Sequence, residues 1–105
     1  MRPRGSVSIT VAPQTLGGDV SEWKFDITFT THSGSLDFDP TAVTRLVDDS
    51  GNIYKPLRWE GGPQGGHHRE GVLVFGQIKP LPHTVEIKIV NISEVHERSF
   101  VWNMK

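Results

Sequence analysis

The feature that most constrains the fold of this chain is a strict alternation of apolar and polar residues in its first third. The alternating run reads Trp23, Lys24, Phe25, Asp26, Ile27, Thr28, Phe29 and Thr30. Successive side chains of a strand point to opposite faces, so a period of two residues is typical of a half-buried β-strand. The run therefore predicts a strand with one aromatic-rich face against a core.

Similar short runs recur along the chain, with turn residues between them. They occupy residues 7–11, 43–47, 53–59, 72–75, 85–89 and 98–102, and residues 36–40 form a candidate edge strand. No segment longer than one turn has apolar residues three and four positions apart, which is the spacing of an amphipathic helix. About seven short strands predict an all-β fold, an antiparallel β-sandwich of immunoglobulin-like type. We expect residues 1–105 to form a single domain.

Composition excludes several kinds of site and partner. Without cysteine, the chain has no disulfide, thiolate nucleophile or blue-copper centre. Its net charge is −1 with both signs interspersed, which predicts that no nucleic acid is bound. No apolar run reaches about 18 residues, the length of a transmembrane segment. We expect a monomer.

The most unusual stretch, residues 61–71, holds five of the eleven glycines and the adjacent pair His67 and His68. Strands of a sandwich run alternately up and down, so successive connections fall at alternate ends. On this count the connections at residues 31–41, 61–71 and 91–96 share one end. We call it the histidine end, because it is predicted to carry four of the five histidines: His32, His67, His68 and His96.

The predicted histidine end has the chemistry of a transition-metal site. Imidazole is the commonest transition-metal ligand in proteins, and copper and zinc accept sets of histidine and carboxylate. The hypothesis is a Cu or Zn site at His67 and His68, completed by His32 or His96 and by Glu70. In the alternative, the histidines hold the loop in shape through hydrogen bonds, and the domain is purely structural or contacts a partner protein at this end.

Trp59, Arg69 and Glu70 are further candidates for contacts with a ligand at the same end. An aromatic ring near a strand end can stack on a ligand, although a position in the core is the plainer interpretation of Trp59. Catalysis ranks third, because the chain has no Gly-x-Ser-x-Gly nucleophile elbow. We therefore interpret the chain as a non-catalytic binding or interaction module.

Several motifs resemble those of small exported prokaryotic immunoglobulin-like domains of unassigned function. The motifs are Thr31-His32-Ser33, Gly65-Gly66-His67-His68-Arg69 and the closing Arg98-Ser99-Phe100-Val101-Trp102. The resemblance covers roughly residues 23–102 and implies an extracytoplasmic β-sandwich, which is periplasmic, secreted or lipid-anchored. It implies no particular activity or ligand. A cytoplasmic location is the alternative, because no signal peptide precedes the first predicted strand.

Overall fold

A computed structural model describes residues 7–31, 36–62, 65–92 and 95–104, which contain eight strands and one short helix. The strands are β1 (Val7–Thr15), β2 (Glu22–Thr31), β3 (Thr44–Asp48), β4 (Ile53–Tyr54), β5 (Arg58–Gly61), β6 (His68–Gly76), β7 (Thr84–Ile92) and β8 (Val95–Asn103). The helix, α1 (Pro40–Val43), is a single turn that precedes β3. The predicted all-β class is confirmed.

The strands form two antiparallel sheets of four strands each. Sheet A has the order β1-β2-β6-β5, and sheet B has the order β4-β3-β7-β8. Inward-facing residues of both sheets join one hydrophobic core, and the two sheets with this shared core make a β-sandwich.

The predicted alternation in β2 is confirmed residue by residue. Trp23, Phe25, Ile27 and Phe29 are all fully buried, and β2 pairs with β1 on one side and β6 on the other. Phe25 meets Phe75 of β6 edge to face, with ring centroids 5.8 Å apart. Burying each of these side chains stabilises the fold by about 1.5–3 kcal/mol, so this central strand contributes a large part of the core.

An ion pair covers the outer face of β6. Arg58 pairs in register with Val74, and Glu22 pairs with Gly76, so the contact between Arg58 and Glu22 spans β6. Two hydrogen bonds of 2.9 Å join the guanidinium to the carboxylate, and these bonds lower the pKa of Glu22. Val74 is fully buried although it does not belong to the shared core.

The structure corrects the prediction of one strand over residues 53–59. The chain pairs with β3 at Ile53 and Tyr54, then leaves sheet B and joins sheet A from Arg58 onward. Pro56 lies at this change of sheet and has no N–H with which to extend a ladder. The described residues therefore contain eight strands rather than about seven.

Residues 36–40 do not form the predicted edge strand. Asp39 instead caps α1, accepting a hydrogen bond of 2.9 Å from the Thr41 N–H, and Pro40 occupies the first turn. Both residues are favoured at a helix N-terminus, because the aspartate satisfies a free N–H and the proline has none to satisfy. Across the described segments, no helix has the length and apolar character that crossing a bilayer would require.

The strand pairing sorts the connections between the two ends of the sandwich. Thr30 of β2 pairs with His68 of β6, so β2 ends where β6 begins. Arg98 of β8 donates to the Val7 carbonyl oxygen at 3.0 Å, which brings the β7–β8 turn to this same histidine end. The β3–β4 turn and the β6–β7 loop lie at the opposite end, which we call the cleft end.

Candidate functional site

The glycine-rich stretch is the hairpin of β5 and β6 rather than one long loop. Gly61 pairs with Gly71 across the two strands, and the described part of the tip between them consists of residues 62 and 65–67. Gly65 and Gly66 have φ angles of 98° and 77°. Side chains are disfavoured in this left-handed region, so glycine is required for the tip to turn.

Trp59 closes over the paired glycines. A β-carbon on Gly61 would lie 2.6 Å from Cζ2 of Trp59 and 2.7 Å from Cα of Gly71. A β-carbon on Gly71 would lie 2.5 Å from Cα of Gly61. Two glycines are therefore needed for the strands and the indole to approach this closely. The Trp59 Nε1–H donates to the Gly62 carbonyl at 3.0 Å, so the half-buried ring also holds the start of the tip.

Arg69 lies on the inward face of β6, with only 4% of its surface exposed. Its Nη1 donates to the carbonyl oxygens of Phe38 at 2.7 Å and Leu36 at 3.3 Å. Its Nη2 donates to the Gly62 carbonyl at 2.9 Å. Among the described residues, the buried Nε has no hydrogen-bond partner. One side chain therefore ties the hairpin to the segment that leads into α1.

Two aromatic rings flank the Arg69 guanidinium. Its Cζ lies 5.6 Å from the ring centroid of Phe38 and 5.7 Å from that of Trp59. Such cation–π contacts stabilise a desolvated cation by up to about 2 kcal/mol. Burial lowers the pKa of Arg69, and the carboxylates of Asp39 and Asp37 oppose this shift. Arginine remains protonated even when burial lowers its pKa. Carbonyl oxygens and ring faces therefore hold a buried cation.

His67 and His68 make different contacts at the start of β6. The His67 carbonyl accepts a hydrogen bond of 2.9 Å from the Thr31 N–H, and the residue is exposed. His68 lies beside Thr30, with 3.4 Å between its Nδ1 and the threonine Oγ1. Its Nε2 lies 3.9 Å from Oε1 of Glu70, two positions along the strand. His68 and Glu70 are thus two exposed groups on one face of a strand.

Of the four predicted metal ligands, the structure describes three: His67, His68 and His96. His96 lies in sheet B, with its Nδ1 3.1 Å from Oδ1 of Asn91. His32 lies outside the described residues. Within residues 7–31, 36–62, 65–92 and 95–104, no group of three or more histidine, cysteine or acidic residues could hold a metal ion. His67, His68 and His96 therefore do not form a three-ligand site by themselves, and a site that includes His32 stays a prediction.

A cleft of about 350 Å³ opens at the cleft end, between the β3–β4 turn and the β6–β7 loop. Its polar wall consists of Asp48, Asp49, Ser50, Asn52 and Tyr54. Its mainly apolar wall consists of Ile78, Lys79, Pro80, Leu81, Pro82 and His83. The volume lies at the lower end of the range of ligand sites, about 300–1,000 Å³, and fits a single side chain or a small molecule.

The Asp48 carboxylate organises the polar wall. Its Oδ1 accepts from the N–H groups of Ser50 at 3.0 Å and Asn52 at 2.9 Å. Its Oδ2 accepts from the Asn52 side-chain amide at 3.1 Å and the Tyr54 hydroxyl at 3.0 Å. Burial raises the pKa of Asp48, but the bonds from Asn52, Tyr54 and Ser50 outweigh it and leave the pKa below its ordinary value. The carboxylate stays ionised while these four bonds come from neutral donors.

Asp49 attaches the apolar wall to the turn. Its Oδ2 accepts a hydrogen bond of 3.0 Å from the backbone N–H of His83. Ile78 and Pro82 are buried on this wall, whereas Lys79 and His83 are exposed. Hydrogen bonds therefore hold both walls of the cleft in place. The side chains of Lys79 and His83 are exposed to solvent, and the apolar side chains lie below them.

Sequence reasoning missed the burial of Arg69 and the existence of the cleft. The signal for Arg69 was the alternation of β6, because stepping back by twos from Phe75 through Leu73 and Gly71 leads to the inward face at position 69. Treating residues 61–71 as a loop hid that signal. The cleft depends on how a turn packs against a distant loop, which no local pattern reports.

Comparison with protein-family models, with curated proteins and with solved structures finds no match to this chain. The resemblance of its motifs to small exported domains therefore stays a prediction. The function has to be inferred from the geometry of the two ends.

Proposed function

We propose that this chain is a non-catalytic binding module built on an immunoglobulin-like sandwich. The strand orders support the immunoglobulin-like assignment. In the lettering used for such folds they correspond to A-B-E-D facing C′-C-F-G, the constant-type arrangement with a short C′ strand added. Folds of this kind host many unrelated functions, so the role has to be argued from a surface of the molecule.

The surface we propose for binding is the histidine end, and the observation that carries the proposal is the burial of Arg69. Arg69 and Trp59 hold the hairpin from within through their bonds to backbone carbonyls. The exposed His67, His68 and Glu70 are thus supported by a framework that is already ordered. An ordered framework loses less conformational entropy when a partner binds, which favours recognition of a protein surface.

A photo-crosslinking amino acid in place of His67 or Glu70 tests this surface in the organism that makes the protein. We expect both positions to capture the same partner protein. Ala12, exposed on the outer face of β1, is the control position and should not capture it. The proposal is contradicted if the three positions capture the same proteins equally, or if neither hairpin position captures any.

A transition-metal ion is a second candidate ligand of this end, favoured by the placement of His68 and Glu70. Their 3.9 Å separation lets one ion contact both an imidazole nitrogen and a carboxylate oxygen. Titration with Cu(II) and with Zn(II), followed by residue-resolved NMR, tests the candidate. Binding tighter than roughly millimolar that His68→Gln abolishes and His83→Gln preserves would support it. Weaker binding, or equal effects of the two substitutions, would exclude a site at this pair.

We also propose that the module acts outside the cytoplasm. This part rests on the resemblance of its histidine motifs to those of small exported domains. A fusion of the full-length gene product to a reporter that is active only after export tests it. Reporter activity confined to the cytoplasm would contradict the proposal.

A further inference from the structure

We infer that the cleft end is a second binding site, which takes the lysine or arginine side chain of a partner polypeptide. The site lies at the other end of the sandwich from the proposed histidine-end surface. It has its own walls, formed by the β3–β4 turn and the β6–β7 loop. The inference therefore stands or falls independently of the proposed function.

The charge of the cleft favours a cation. The lining contains two carboxylates, Asp48 and Asp49, and one ammonium group, that of Lys79. Asp48 remains ionised, yet the groups bonded to it are neutral N–H and O–H donors. A negative charge that is stabilised by dipoles but not cancelled by a cation attracts a positive group entering the cleft.

The acceptor we assign to the incoming cation is Asp49. Both oxygens of Asp48 already accept two hydrogen bonds each, so this carboxylate acts on the ligand through its charge. Asp49 uses Oδ2 to accept the His83 N–H, and its exposed position suits Oδ1 to accept from an ammonium or a guanidinium. A metal ion would need several ligand oxygens at once, which the saturated Asp48 does not supply.

The apolar wall suits the stem of a long basic side chain. Lysine and arginine carry three or four methylene groups below the charge, and they pack these groups on apolar surface while the charge stays near water. In the cleft, exposed Pro80 and half-buried Leu81 offer that surface opposite the acidic turn, above the buried Ile78 and Pro82. An acidic side chain would meet two carboxylates, and an uncharged one would gain nothing from them.

A charged probe and an uncharged probe of the same shape test the inference. The amides of N-acetylarginine and N-acetylcitrulline differ chiefly in the positive charge, and each is titrated into isotope-labelled protein by NMR. We expect the arginine probe to shift the backbone signals of residues 48–54 and 78–83 with a Kd in the millimolar range. The citrulline probe should bind on the order of tenfold more weakly, because it lacks the charge-assisted hydrogen bond.

A substitution at Asp49 provides the matched protein variant. Asp49→Asn keeps an oxygen that can accept the His83 N–H but removes the charge, and it should weaken arginine binding on the order of tenfold. Asp26→Asn is the control: it removes one charge from the outer face of sheet A, where Asp26 pairs with Ala12 and Val72, away from both walls of the cleft. It should change the affinity by less than about twofold, because an exposed charge outside the site is screened by solvent and salt.

Three results would overturn the inference. They are equal affinity for the arginine and citrulline probes, an unchanged affinity in Asp49→Asn, and a Kd for the arginine probe above roughly 50 mM. Signal shifts confined to the histidine end would also overturn it, because the probe would then have bound elsewhere. None of these results bears on the crosslinking test of the histidine end.

Discussion

The two ends of the sandwich are each organised by one charged side chain, but the charges and their surroundings are opposite. At the histidine end, buried Arg69 donates to backbone carbonyl oxygens. At the cleft end, half-buried Asp48 accepts from N–H and O–H groups. Arginine keeps its charge at every pH a folded protein meets, whereas an aspartate loses its charge in acid. The histidine end should therefore depend on packing, and the cleft end on pH.

The largest effect is expected from Arg69→Met, which keeps the length of the stem and removes the donors. The carbonyls of Leu36 and Phe38 would lose these bonds inside the protein, and the aromatic rings would lose the cation. We expect the free energy of unfolding, measured by urea denaturation, to fall by roughly 3–5 kcal/mol. Arg69→Lys keeps the charge but not the planar guanidinium, and its free energy of unfolding should fall less than that of Arg69→Met.

A loss smaller than about 1 kcal/mol in Arg69→Met would show that the guanidinium does not hold the hairpin, and the contrast between the ends would disappear. NMR signals of residues 62 and 65–67 provide a second measure. They should change in Arg69→Met even where the core signals of β2 do not.

A smaller effect is expected from Gly71→Ala, which tests the close approach of the hairpin strands. The new methyl group would lie within 3 Å of Gly61 and of Trp59, so the strands or the indole must move. We expect a loss of roughly 1–3 kcal/mol in the free energy of unfolding. Gly62→Ala is the matched control, because a β-carbon there meets nothing within 4 Å. Equal losses in the two variants would contradict this account.

The smallest effect is expected from acid, and it should be located at Asp48. Because the folded-state pKa of Asp48 lies below the ordinary value of about 3.9, its contribution to stability is complete above that pH. The contribution is lost as the pH falls through the folded-state pKa. The urea midpoint of the native protein should therefore drop as the pH is lowered below about 4, and the midpoint of Asp48→Asn should drop less.

Glu22 is the matched control for the acid effect. Its pKa is lowered mainly by the hydrogen bond from Arg58, so it loses its contribution over a similar acidic range. Glu22→Gln should therefore remove a separate part of the acid dependence, and the double variant should show the flattest profile. An acid dependence in Asp48→Asn equal to that of the native protein would show that Asp48 does not make the cleft end sensitive to pH.

The parts of the fold that the sequence predicted are those that follow a local period. The alternation from Trp23 to Phe29 identified β2 and its buried face, and the apolar run at 72–75 identified the central strand β6. The change of sheet at Pro56 was missed, because apolar residues on both sides of the proline suggested one continuous strand. The alternation of apolar and polar residues does not show which sheet a segment joins.

The candidate sites were less predictable, because they depend on contacts between residues that are distant in sequence. Counting alternate connections assigned His67 and His68 to one end, but it could not show how far apart their side chains lie. The burial of Arg69 requires carbonyls from residues 36 and 38 as well as the rings of Phe38 and Trp59. These partners come together only when the segment before α1 packs against the β5–β6 hairpin.

The placement of the first and last strands has a mechanical consequence. β1 starts at the histidine end with Val7, and β8 finishes at the cleft end with Asn103. A force that pulls these two residues apart acts along β1 and β8, at right angles to the hydrogen bonds that join them to β2 and β7. Each ladder is then loaded in shear, so its bonds must break together rather than unzip one by one. The sandwich is thereby suited to resist tension along its strands.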